Sequence, residues 1–244
     1  TYVVNATVEN KGSSDQDGVI VNCSIRELGD QLIEDFEDDA GGYTHSVGPG
    51  PGSIDDWEWG NPVSGPNMAH SGSHCWATNL EGDHSNGSDS VLDSVMINLG
   101  LYGPDPVISF WHWYDHTTYD CGNVKISIDN GNSWSIIHPE SGYTGTATSG
   151  NQGIPNEPAF TDTSDGWEKV VFNLSDYEMQ TVLLRWHFGS TTSVSHPGWY
   201  IDDMVVASGL RSRGPGDLVY WKNEIVSIDA YQMKEIAFTP GWQA

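Results

Sequence analysis

Val124-Lys125-Ile126-Ser127-Ile128-Asp129-Asn130-Gly131 alternates apolar and polar side chains and then supplies two residues that accept positive φ. A period of two puts Val124, Ile126 and Ile128 on one face of a strand. Asn-Gly favours a tight hairpin turn, so the chain is expected to reverse there into a second strand over Ser133–His138. The same alternation recurs at Val170, Phe172 and Leu174, and at Val182, Leu184, Trp186 and Phe188. Val107–Tyr114 is apolar almost throughout and reads as a strand buried on both faces. With 28 Gly and 12 Pro between such runs, the chain reads as an all-β protein whose antiparallel sheets pack face to face.

The formal charge of −25 over 244 residues is divided unevenly. Residues 31–208 hold 25 acids against Lys125, Lys169 and Arg185, a net of −22, with all nine His and nine of the 11 Trp. The flanks carry a net of −3. A composition shift at both ends of one segment predicts an insertion: one domain from residues 31–208, and a discontinuous one from residues 1–30 and 209–244 joined by Arg211–Asp217. In the flanks Tyr2, Val4, Ala6 and Val8 alternate, as do Val19, Val21, Cys23 and Ile25, and Leu218–Ile228 and Lys234–Thr239 read as two more strands.

Such a charge repels phosphate backbones and anionic lipid, which excludes nucleic-acid partners and electrostatic membrane attachment. The apolar runs are too short for a membrane-spanning helix. The start at Thr1 is that expected of a processed product. Sequons at Asn5, Asn22, Asn86 and Asn173 point to an extracellular glycoprotein.

The first flank resembles the CARDB family of cell-adhesion-related immunoglobulin-like domains, through Val8-Glu9-Asn10-Lys11-Gly12 and Val19–Ile25; Glu224–Phe238 looks like its later strands. The inserted segment resembles the MAM-like jelly rolls found beside secreted peptidases of the immune-inhibitor-A type and in archaeal surface proteins. Six matches carry that resemblance, in family order. They are Asp35-Phe36-Glu37, Asp56-Trp57-Glu58-Trp59-Gly60, Ala69-His70-Ser71-Gly72 leading to Trp76-Ala77-Thr78, His112-Trp113-Tyr114-Asp115, Ile126–Gly131, and Gly198-Trp199-Tyr200-Ile201-Asp202-Asp203. Cys121 departs from the pattern, standing where such sequences often carry Gly. The resemblances imply a jelly-roll β-sandwich inserted into an immunoglobulin-like β-sandwich, on a prokaryotic cell surface, archaeal ones included.

The outer sandwich is incomplete. An immunoglobulin-like fold needs about seven strands, and the flanks supply four. More chain in a longer surface protein would complete it, or a strand donated by a second copy, with Tyr2, Val4, Ala6 and Val8 as the candidate donor. The function expected is therefore a structural or adhesive subunit of a filament, sheath or surface array, self-associating or joined to neighbouring domains. The alternative is a carbohydrate-binding accessory module of a secreted hydrolase or peptidase.

No nucleophile elbow, HExxH, P-loop or dinucleotide fingerprint is present, so no enzymatic role is expected. Calcium takes oxygen ligands, and the jelly-roll resemblance implies a structural ion held by Asp35, Glu37, Ser71, Asp202 and Asp203. A solvated acidic rim is the plainer alternative. His70 and His74, like His112 and His116, lie four apart on strand or loop, roughly 13 Å along the chain and too far for one metal. Trp57 and Trp59 share a strand face and are a candidate sugar platform; most other Trp, among them Trp76, Trp111, Trp186 and Trp199, read as core. Cys75 and Cys121 are a candidate disulfide, and Cys23 reads as a buried thiol.

Overall fold

A computed structural model describes residues 4–9, 16–25, 32–102, 104–208, 220–228 and 233–238, and over 4–9, 16–25, 220–228 and 233–238 the description is of the backbone alone. The chain separates into two compact units, Thr1–Leu28 with Arg211–Ala244, and Gly29–Leu210.

In the first unit β1 (Val4–Glu9) and β2 (Gln16–Ile25) come before the acidic segment. Within that segment lie β3 (Leu32–Glu34), β4 (Thr44–Val47), β5 (Glu58–Gly60), β6 (Cys75–Ala77), β7 (Asp89–Asp93), β8 (Ile97–Asn98), β9 (Pro106–Asp115) and β10 (Cys121–Ser127). They are followed by β11 (Ser135–Ile136), β12 (Gly145–Thr146), β13 (Pro158–Ala159), β14 (Glu168–Asn173), β15 (Thr181–Gly189) and β16 (Gly198–Ser208). The first unit then resumes with β17 (Tyr220–Ile228) and β18 (Met233–Phe238).

The flank strands pair antiparallel as β1 with β18 and β2 with β17. Val4, Ala6 and Val8, the expected donor, are thus opposite Phe238, Ile236 and Lys234 of their own chain. That edge is taken intramolecularly; Tyr2 lies outside the described residues, as do the expected linker at 211–217 and the Cys23 side chain.

The inserted unit is a sandwich of two antiparallel sheets. One runs β11-β10-β15-β7-β4, with β8 added to β15; the other runs β14-β9-β16-β6-β5, with β3 added to β16. From β6 onward the long strands alternate between sheets, the crossing habit expected of a jelly roll. The core between them takes Val124 and Ile126 of β10, and Val182, Leu184, Trp186 and Phe188 of β15. Facing these are Ile108, Phe110 and Tyr114 of β9, Val170 and Phe172 of β14, and Trp199, Ile201, Met204 and Val206 of β16. Each such side chain contributes about 1.5–3 kcal/mol by leaving water.

Two local rules of the sequence are modified. Asn130 and Gly131 do take positive φ, 60° and 85°. The reversal is nevertheless wider than a two-residue turn, since β10 pairs with β11 only at Lys125↔Ile136 and Ile126↔Ser135. Asp129 closes it, accepting from Ser133 N at 2.9 Å and Ser133 Oγ at 2.6 Å, and these donors hold its carboxyl down at about 2. Ile128 falls beyond the strand and is exposed. In β16 the register shifts between Asp202 and Val205, with Asp203 at φ 47°. Inward residues are therefore Trp199 and Ile201 before the bulge, and Met204 and Val206 after it.

Candidate ligand face

β9 carries two different faces. Ile108, Phe110, His112 and Tyr114 are buried, while Val107, Trp111 and Trp113 are only half-buried. This corrects the expectation of a strand buried equally on both sides and of Trp111 as core: its odd-numbered residues look away from the sandwich. Across the sheet Trp111 stands opposite Lys169 of β14 on one side and Asp202 of β16 on the other. Trp113 stands opposite Tyr200 and packs edge-on to its ring at 5.4 Å. Trp167 is half-buried and joins Trp113 against a small apolar layer of Ala69, Cys75, Ala77, Leu80 and Tyr200.

The chain before β6 lies over this face and completes it. His70 stacks on Trp111 with ring centres 3.9 Å apart and meets the edge of Trp167 at 5.8 Å. Its Nδ1 is bonded to Asp203 Oδ2. Ser71 Oγ donates to Asp203 Oδ1 at 2.8 Å, while the His70 and Ser71 amides donate to Asp202 Oδ2 at 2.9 and 3.1 Å. From the other side Glu37 accepts from the amides of Ser73 and His74 at 2.9 and 2.7 Å, which hold its carboxyl below the usual range. Gly72 lies between, at φ +54°, where an added Cβ would come within 2.1 Å of the Glu37 carboxyl carbon. Asp202 is fully buried; desolvation outweighs its amide donors and pushes its carboxyl up to about 7.

Four of the expected calcium ligands, Glu37, Ser71, Asp202 and Asp203, thus meet around one loop, whereas Asp35 is exposed and accepts only from the Glu37 amide at 3.3 Å. Their chemistry is that of a hard cation site. Their oxygens, however, are turned to the N–H and O–H groups of the loop. Among the described residues no group of three or more His, Cys, Asp or Glu is arranged to hold a metal ion.

Trp57 and Trp59 do share a face, but it is the inner one. Trp57 is 1% exposed and lies 5.8 Å from the Trp199 ring. Trp59 is half-buried, donates through Nε1 to Phe36 O at 2.9 Å and stacks on His74. Neither provides an exposed platform. The sequence carried a signal for a second aromatic face: Trp111 and Trp113 fall out of phase with the buried Phe110, His112 and Tyr114.

The expected disulfide is also corrected. Cys75 and Cys121 are free and buried. Trp76 points into the core, so Cys75 and Ala77 face outward from the β9 sheet. Val124 and Ile126 point into the core, so Cys121 faces outward from the β10 sheet, under Ala147, Ile154 and Ala159. The two thiols lie on opposite outer faces of the sandwich, and burial pushes both well above the usual thiol range.

The charged side chains on the outer face of the β10 sheet are paired. Asp89 is paired with His187 at 2.6 Å, Lys125 with Glu157 at 2.7 Å, and Arg185 bidentately with Asp93 at 2.7 Å. Arg185 also lies 4.0 Å over the Trp134 ring. Of the sequons, Asn86 and Asn173 are exposed, and the side chains of Asn5 and Asn22 are outside the description.

The architecture these elements define is a two-sheet β-sandwich module with an aromatic outer face. No family model matches the chain. A stretch of 178 residues is 28% identical to Bacillopeptidase F of Bacillus subtilis, covering 71% of this chain and 10% of that protein. The chain thus spans about a tenth of the length of the curated relative it matches. Among solved structures, the K1 cleaved adhesin domain of Lys-gingipain from Porphyromonas gingivalis W83 superposes with a TM-score of 0.43 at 17% identity, over 74% of this chain and 99% of that one. A carbohydrate-binding module in complex with β-1,4-galactotriose gives 0.43 at 14% identity, over 71% and 94%.

Proposed function

We propose that the inserted unit is a non-catalytic, extracellular carbohydrate-binding module, and that the chain is a piece of a larger secreted peptidase or hydrolase. The observation that carries the reading is the outer face of the β9 sheet: Trp111, Trp113 and Trp167, all half-buried, with His70 stacked among them. Partly exposed aromatic rings stack on the C–H faces of sugars, as they do on other flat ligands. The loop that sets His70 is fixed by three carboxylates, so the face is organised in advance, which lowers the entropic cost of binding. The relative's name places a similar stretch in a peptidase. The MAM-like and CARDB-like assignments belong to the same proposal. A glycan array probed with the full chain tests it. Trp111→Ala and Trp167→Ala are expected to abolish the signal while leaving the melting temperature within a few degrees; an array without hits would refute it.

Two finer readings accompany it. A structural calcium is supported by the convergence of Glu37, Ser71, Asp202 and Asp203 around one loop; a melting temperature unchanged by chelator would exclude it. Assembly into a filament or array rests on the short flanks, whose four described strands form two pairs. A monomer on sizing at micromolar concentration would exclude that.

A further inference from the structure

Apart from its histidines, the inserted unit has three basic side chains, two Lys and one Arg. Lys125 is paired with Glu157 and Arg185 with Asp93, both on the outer face of the β10 sheet. Lys169 is the third; it is exposed and, among the described residues, has no ion-pair partner. Its place is not arbitrary. Val170 and Phe172 point into the core, so Lys169 points the other way, opposite Trp111 across the β14–β9 pair. Directly opposed residues have Cβ atoms about 4.5–5.5 Å apart, and a Lys stem bridges that gap easily. The nearest carboxylate across the next strand, Asp202, is buried and bonded to loop amides, and Asp203 is bonded to His70 and Ser71. The one uncommitted cation described in a strongly acidic unit therefore stands beside the aromatic face.

We infer that this face selects a carboxylate-bearing sugar, a hexuronate, with Lys169 as the specificity-determining residue that receives its carboxylate. The inference rests on the carbohydrate reading above. The rings take the C–H face of the sugar, and the ammonium donates to the carboxylate at the ring's edge. The net charge of −22 opposes acidic ligands at long range. That repulsion is screened beyond about 8–10 Å at physiological salt, whereas the direct ammonium–carboxylate contact is not.

The test is an array of matched pairs, each uronate-containing oligosaccharide beside its uncharged counterpart of the same linkage, followed by calorimetric titration of the full chain with the best pair. The uronate is expected to bind about tenfold more tightly than its counterpart, the scale of one partly exposed charge-assisted hydrogen bond. Lys169→Met, which keeps the stem and removes the charge, is expected to erase that difference and leave the uncharged sugar's affinity as it was. Preference for the uncharged sugars, or a uronate preference that survives Lys169→Met, overturns the inference and leaves the carbohydrate reading standing. No binding to either member of any pair overturns both.

Discussion

His116 is buried, donates from Nδ1 to Phe160 O at 3.0 Å, and has no partner for Nε2 among the described residues. Burial holds it down to about 4, and holds His112 down to about 3. Unfolded, both would begin to bind protons near pH 6.5; folded, they do not until the pH is far lower. Their contribution to stability is therefore complete above about pH 6.5 and is lost as the pH falls towards 3–4. The melting temperature should drop steeply across that window, and His116→Gln should flatten the slope by about one proton. Asp202 acts with the opposite sign. Its raised pKa makes its contribution fullest near pH 4 and lost as the pH rises through about 7. Asp202→Asn should consequently lose less against the parent chain at pH 8 than at pH 5. Both effects were illegible in the sequence, because a histidine four residues from another looks the same whether its neighbours are water or Phe160 and Trp199. Burial of His112 could have been read only by taking its phase from Phe110.

At the scale of elements, β16 and the loop from His70 to His74 hold one another. Gly72→Ala should loosen that loop by more than about 1 kcal/mol, because its φ is positive and its Cβ would displace Glu37; thermal melting measures it. If the ring stack depends on the loop, the same variant should also weaken glycan binding. The two cysteines should stay reduced: alkylation followed by mass spectrometry under nonreducing conditions is expected to label both thiols only after unfolding, and a Cys75–Cys121 crosslink would contradict the sheet assignment. The strands themselves were plain in the sequence, since Val124, Ile126, Val182, Leu184, Trp186 and Phe188 all lie in the core their alternation predicts. What the alternation could not supply was which side of a strand faces the second sheet. Trp57 and Trp59 share one face, as their spacing implies, and that face is the inner one. In β16 the bulge at Asp203 breaks the phase altogether, so neither carboxylate could be assigned a direction by counting.

For the whole molecule, the uneven charge marked out the acidic segment, and that segment is an all-β sandwich with a hydrophobic core and two unlike outer faces. The face of the β10 sheet spends its two cations on internal pairs. The face of the β9 sheet keeps its rings half-buried, and its lysine has no ion-pair partner among the described residues. The net charge of the entire chain, −25, does not describe how charge is distributed over these two faces. Composition pointed to an extracellular module rich in Trp, but only the packing distinguishes rings that build the core from rings left half-buried on an outer face. The most direct measurement is a titration of the 15N-labelled chain with a binding oligosaccharide, followed through the indole N–H resonances. The account predicts that those of Trp111, Trp113 and Trp167 shift while those of Trp57, Trp186 and Trp199 stay in place. Shifts centred on Trp134 and the β10 sheet, with the β9 face unmoved, would contradict it.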